Sequence, residues 1–348
     1  MRRASRALIG AALASLLLST PTVLSYAEDN SKAAQSAKVS SSNWSQPQRE
    51  DQYWGNPTRT IGNDQDQAQM DSQVPSVPGL NVVPAKVFGI RTNAKPSVAT
   101  SAGSGKLLDH GGAVLPTAKM YAIYWGPTSV FNQTSITYSS TVNGFLGGLA
   151  CTNCTSGLTG MIKQYSRTAQ VNLSFANSWT DTSNPPSSAP STTAIANEVV
   201  KVVNTQNKLS IDPAGIYFVF TSNFPSRASY CAWHGAASVT LSGTKTSFTF
   251  AYMPNLATFL NGCGANFLPH YVASTQGLAF DSLFNVTTHE LYETMSDPMT
   301  TGYAFYDAAG YEIGDKCAWN WDGPIVVNGR TYDVQQEFSN TANSCASS

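Results

Sequence analysis

The run Gly215-Ile-Tyr-Phe-Val-Phe220 is the tightest constraint on the fold. It is continuously apolar, rich in β-formers, and holds no charged residue. A strand of that kind is buried on both faces, so its sheet needs a further layer on each side. Met120-Tyr-Ala-Ile-Tyr-Trp125, closed by Gly126-Pro127, also reads as a strand, as do Val171 to Trp179 and Ser247 to Met253. Val142 to Ala150 and Gly157 to Ser166 read as helices. Thr192 to Asn204 has Ile195, Val199, Val200 and Val203 at helical spacing. Asp281 to Ser296 reads as a last helix, because Pro298 disfavours helical geometry at Asp297. Strands alternating with helices predict a single three-layer α/β domain with a mixed sheet, an order compatible with a zincin-like topology.

The expected domain occupies residues 105–348. Residues 28–104 read as a low-complexity linker or pro-segment: rich in Ser, Gln, Asn and Asp, they have little apolar surface to offset the entropy of ordering. Such a segment is expected to be dispensable for folding. Within it, Val82 to Ile90 is more apolar and is a candidate extra strand.

Residues 1–27 have the form of a secretory signal peptide. Arg2, Arg3 and Arg6 precede a short apolar core from Ala7 to Leu18, and Ser25-Tyr26-Ala27 fits the cleavage pattern. No later stretch is apolar for long enough to span a bilayer. The expected location is therefore secreted, extracellular. Net charge is −1 with no block of like charge, which argues against nucleic acid or a membrane surface as partner.

The six cysteines of an exported chain imply three disulfides. Closure of the smaller loops favours Cys151–Cys154, Cys231–Cys263 and Cys317–Cys345. The C-T-N-C spacing of the first pair also admits a redox role, though no thioredoxin-like context surrounds it.

Chemistry concentrates between Asn285 and Trp319. Only 12% of the chain is charged, yet this stretch holds His289, Glu290 and Glu293 as H-E-x-x-E, then Asp307, Glu312 and Asp315. On a helix, His289 and Glu293 lie on one face and Glu290 beside them. That is the layout of a zincin helix with its second histidine replaced by glutamate. His289 and Glu293 would ligate a metal, Glu312 or Asp315 would complete the set, and Glu290 would be the general base. A plainer reading stands beside it, with Thr287 or Thr288 as an N-cap and the acids favoured in a first turn. His234, three residues after Cys231, is either a further ligand or a hydrogen-bonded loop histidine. His110 sits by a Gly-Gly turn, and His270 has no motif around it. The acids around Asp307 do not match an EF-hand but remain candidates for calcium in an irregular loop. Trp319, Trp321 and the tyrosines are candidates to stack on sugar rings or to fill the core. No G-x-S-x-G elbow, P-loop or dinucleotide fingerprint appears.

Five stretches in order resemble the EXORDIUM family, also called phosphate-induced protein 1. They are Asp109-His-Gly-Gly112, Tyr121-Ala-Ile-Tyr-Trp-Gly126, Gly215-Ile-Tyr-Phe-Val-Phe-Thr-Ser222, Cys231-Ala-Trp-His-Gly235 and Glu312-Ile-Gly-Asp-Lys-Cys317. The resemblance covers about Leu107 to Cys345. It implies a secreted protein of a family best known from the plant cell wall and apoplast, associated with growth regulation, and does not by itself imply a peptidase.

Two functions of different class follow. One is a secreted metal-dependent hydrolase, a zinc peptidase-like enzyme acting on a peptide. The other is a non-catalytic extracellular or wall-associated protein that binds a glycan or another partner.

Overall fold

A computed structural model describes residues 77–83, 105–131, 138–185, 189–224, 230–256, 263, 280–318, 320, 325–327 and 329–348. The strands are β1 (Leu80–Val83), β2 (Leu108–Asp109), β3 (Thr117–Trp125), β4 (Asn172–Asp181), β5 (Gly215–Thr221), β6 (Trp233–Leu241), β7 (Thr244–Met253), β8 (Phe305–Tyr306), β9 (Ile325–Val327), β10 (Arg330–Tyr332), β11 (Glu337–Ser339) and β12 (Ser344–Ala346). The helices are α1 (Thr128–Phe131), α2 (Tyr138–Leu149), α3 (Gly157–Met161), α4 (Thr192–Val200) and α5 (Asp281–Ser296). A 3-10 turn, Ile162–Tyr165, extends α3, and a π-helical turn, Lys201–Gln206, extends α4.

Six strands form one mixed sheet in the order β1-β6-β7-β5-β3-β4. Strands β7, β5, β3 and β4 run parallel; β6 is antiparallel to β7, and β1 is antiparallel to β6. Every residue of β5 is buried, as its apolar run requires. Alternation along the strands makes two cores. Ile216, Phe218 and Phe220 of β5 join Met120, Tyr124, Ala251 and Met253 on the side of α2, α3 and α5. Tyr217 and Val219 join Ile123, Phe248, Phe250 and Tyr252 on the side of α4, against Ile195, Val199 and Val203. This is the α/β architecture with a mixed sheet that the alternating pattern predicts.

Two elements depart from the sequence expectation. Strand β6 is not among the expected strands, because Gly235, Ala236 and Ala237 carry little strand propensity. Tertiary pairing with β7 overrides that deficit over nine residue pairs. Ser242 and Gly243 close the hairpin with φ of 48° and 81°, the left-handed geometry that suits a right-twisted two-residue turn. Strand β1 lies ahead of residue 105, so the sheet takes in part of the segment expected to be a linker. Leu80 and Val82 pack on the α4 side, and the Val77 amide donates to Asn197 Oδ1 at 2.9 Å. The signal peptide, most of the linker and Pro84 to Ile90 lie outside the described residues.

The structure pairs Cys151 with Cys154, Cys231 with Cys263 and Cys317 with Cys345. The second bridge sits at the start of β6. The third ties the loop after β8 to β12. Among the described residues no helix is long and apolar enough to cross a membrane.

Candidate metal centre

Helix α5 is buried along all of its 16 residues. A helix enclosed on every side is ordinarily apolar throughout, yet α5 is rich in polar groups. Its hydroxyls satisfy themselves locally: Thr287 donates to the Leu283 carbonyl at 2.7 Å, Thr288 to Phe284 at 3.1 Å, Thr294 to Glu290 at 2.6 Å and Ser296 to Tyr292 at 2.9 Å. The helix begins at Asp281, so Thr287 and Thr288 are interior residues, and neither is an N-cap. It ends at Ser296, with Asp297 outside helical geometry ahead of Pro298. His289, Glu290 and Glu293 are left to find partners from other elements.

One face of this trio meets the loop that follows β8. His289 Nε2 lies 3.1 Å from Glu293 Oε1 and 3.7 Å from Asp315 Oδ1. Glu293 Oε1 also accepts the Asp315 amide at 3.1 Å. The loop approaches so closely because residue 314 is glycine: a Cβ there would stand 2.7 Å from His289 Nδ1 and 3.0 Å from Glu293 Oε1. Gln335 closes this side, its Nε2 donating to the Gly314 carbonyl at 2.8 Å and lying 3.1 Å from His289 Nδ1.

The other face meets β6. Alternation sends Trp233 to the α4 core and His234 toward α5. His234 Nδ1 lies 3.2 Å from Glu290 Oε2 and 3.6 Å from Glu293 Oε2. Its Nε2 lies 3.3 Å from the Asp297 carbonyl and 3.9 Å from Glu312 Oε1. Glu312 thus sits on the His234 side, and Asp315 is the acid that reaches His289. His234 is fully buried and lies on β6, paired with Ala251, so it is a strand residue and not a loop histidine.

Asp307 does not take part. It accepts from Lys316 Nζ at 2.7 Å and from the amides of Ala309 and Tyr311, so it braces the turn. The acids of this loop therefore have different partners and do not gather as a calcium loop of their own. His110 stacks on Tyr306, away from the cluster. His270, Trp319 and Trp321 lie outside the described residues. Among the described residues most large aromatics are core, with Tyr124, Tyr138, Tyr165, Tyr217, Tyr252 and Tyr292 all fully buried.

Two members escape a reading of the sequence. Gln335 carries no signal there. Glu337 carries a faint one, an acid four residues after Asp333 and beside Phe338 in a tail with few charges. Glu337 is fully buried on β11, within the electrostatic reach of His289, Glu293 and Asp315.

The cluster holds more acid than base. Among the described residues six carboxyl groups, Glu290, Glu293, Asp297, Glu312, Asp315 and Glu337, share the interior around two imidazoles. Burial pushes the carboxyls of Glu290, Asp315 and Glu337 up, and neighbouring acids add to it. Burial alone would depress His289, but Glu293, with Glu290 and Asp315, raises it well above the ordinary range. Glu293, despite its own burial, is held low by His289.

These groups form ion pairs with one another, and their spacing is also compatible with a cation. Tetrahedral bonds of about 2.1 Å separate ligand atoms by about 3.4 Å. The distances of 3.1 and 3.7 Å from His289 Nε2 bracket that value. Glu290 Oε1 and Glu293 Oε2 are buried without a hydrogen-bond partner. Two groups have one donor atom per residue all within 4.8 Å of one another: His289, Glu293 and Asp315, and His234, Glu290 and Glu293. These buried groups can hold a metal ion. A small pocket lined by Asn285, His289, Glu290, Ala318 and Gln335 reaches the cluster. No family model, curated protein or solved structure matches the chain.

Proposed function

We propose that the chain is a secreted metal-dependent hydrolase, a zinc peptidase in kind, with His289, Glu293 and Asp315 as the ligands. The gathering of one donor atom from each of the three within 4.8 Å of the others carries the reading. An imidazole among carboxylates suits zinc better than calcium, which prefers oxygen throughout. Bound there, zinc would polarise a carbonyl oxygen and lower the pKa of its water.

The chain's own residues supply the rest. Glu290 takes the proton, its Oε1 lacking a hydrogen-bond partner while Oε2 faces His234. His234 positions Glu290. Gln335 positions His289: its Nε2 is anchored on the Gly314 carbonyl at 2.8 Å and rests against the ring's Nδ1 at 3.1 Å. The three disulfides support export, and the ordered EXORDIUM-like stretches support a wall-associated or apoplastic setting.

A second reading rests on enclosure. His289 is 4% exposed and Glu290 and Glu293 are not exposed at all, which also suits a structural ion in a non-catalytic extracellular binding protein. Metal analysis of the purified chain with a peptide-cleavage panel tests both. Bound zinc with cleavage that is lost in Glu290→Gln supports the enzyme. Bound metal with no cleavage of any peptide favours the binding protein. A folded, metal-free, inactive sample refutes the metal centre.

A further inference from the structure

We propose that the centre is dinuclear, with Glu293 bridging one cation on His289 and Asp315 and a second on His234 and Glu290. The proposal builds on the metal-centre reading and adds a second site to it.

The two oxygens of Glu293 look in different directions. Oε1 faces His289 Nε2 at 3.1 Å, and Oε2 faces His234 Nδ1 at 3.6 Å. Each side then has the same composition: one imidazole nitrogen, one oxygen of Glu293 and one further carboxylate. Such sharing is how a carboxylate holds two cations about 3.5–4 Å apart in hydrolytic centres.

The His234 ring gives an independent indication. Its Nε2 faces the Asp297 backbone carbonyl at 3.3 Å, an acceptor that calls for a proton on that nitrogen. In a neutral ring Nδ1 then carries a lone pair, aimed at Glu290 Oε2 and Glu293 Oε2. Three electron-rich atoms would converge in a fully buried space, which either a proton on Nδ1 shared with Glu290 Oε2 or a cation among the three relieves. A ligating histidine that donates its other N–H to a backbone carbonyl has this geometry.

Charge points the same way. The buried carboxyl groups Glu290, Glu293, Asp297, Glu312, Asp315 and Glu337 outnumber the two imidazoles, and burial disfavours their ionisation unless cations lie among them. Glu290 acquires a double role, Oε2 as ligand and Oε1 as proton acceptor. Mixed imidazole and carboxylate donors suit zinc, manganese or ferrous iron at both positions.

The test is metal stoichiometry of the full-length secreted chain, stripped and then titrated with Zn2+ alone and with Mn2+ alone. The expected result is two equivalents, with an exchange-coupled Mn2+ resonance spectrum. His234→Gln is expected to retain one equivalent and lose the coupling. His289→Gln is expected to retain one on the opposite side. One equivalent in the unaltered chain, unchanged by His234→Gln, overturns the second site and leaves the mononuclear reading standing. No bound metal overturns both. Two uncoupled equivalents, or two that survive His234→Gln, overturn the bridge. The spectrum of the unaltered chain decides the matter even if a variant fails to fold.

Discussion

Gly314 lies against His289 so closely that a methyl group on its α-carbon would stand 2.7 Å from the imidazole Nδ1. Its φ of −76° is open to any residue, so the demand for glycine is steric and not conformational. Gly314→Ala is expected to push the Glu312–Cys317 loop off α5. Overpacking of this kind costs about 1–3 kcal/mol. Metal affinity should fall with it, because Asp315 moves with the loop. Gly147→Ala on α2, where a methyl group meets open space, is the control and should be neutral or mildly stabilising. Equal melting and metal content for both variants would show that the loop does not seat on His289.

Glu290 and Glu293 share α5 but hold different posts. Glu293→Gln is expected to lower metal content and, with it, the melting temperature. A ligand present at a hundred times its Kd stabilises by about 2.7 kcal/mol. Glu290→Gln should keep metal at the His289 side and reduce turnover by about 10²–10⁴-fold. Metal content, melting and turnover are measured side by side. Equal small melting shifts with no metal in any sample would remove the catalytic assignment of this helix.

Glu198 is buried on α4 beside Asp181 and Lys201. Burial, with a hydrogen bond to Asp181, raises its pKa to about 8. The folded chain therefore holds this proton where the unfolded chain has lost it, between about pH 4.5 and pH 8. Its contribution to stability is complete below the unfolded pKa and is lost as pH rises through that window. The slope is about 1.4 kcal/mol per pH unit at its steepest. Glu198→Gln should flatten the profile over this range and melt higher than the parent at pH 8. An unchanged slope in urea titrations at pH 5, 6.5 and 8 would count against the shift.

Strand β1 covers the outer edge of β6, from Leu80 opposite Val239 to Val83 opposite Ala236. A chain beginning at Gly105 loses this cover and the half-buried Leu80 and Val82. The expected cost is about 1–3 kcal/mol relative to a chain beginning at Val77. The bared edge should also promote self-association. Melting and light scattering of the two chains check this. Identical behaviour would mean that the segment is dispensable, as its composition alone suggests.

The Cys317–Cys345 bridge closes a separation of 28 residues next to Asp315. Chain entropy assigns such a loop about 3–4 kcal/mol. Replacing both cysteines by alanine should destabilise the chain by that order and weaken metal retention more than replacing Cys151 and Cys154, which close a separation of only three residues. Equal loss of metal in the two double variants would separate the bridge from the centre.

The sequence alone determined whatever rests on local periodicity. The apolar run of β5 called for layers on both faces, and Pro298 set the end of α5. His289 and Glu293, four apart on that helix, could only face the same way. Small loops limited the choice of cysteine partners. Tertiary structure decided the rest, because no local rule reports which distant segments arrive at a helix face. Strand β6 exists by pairing with β7 and not by its own propensity, and that pairing aims His234 at Glu290. The choice of Asp315 over Glu312 beside His289 depends on how the Gly314 backbone seats against α5. Gln335 and Glu337 reach the centre from a tail that shares no pattern with the helix, since burial among charges is a property of packing and leaves little trace in sequence.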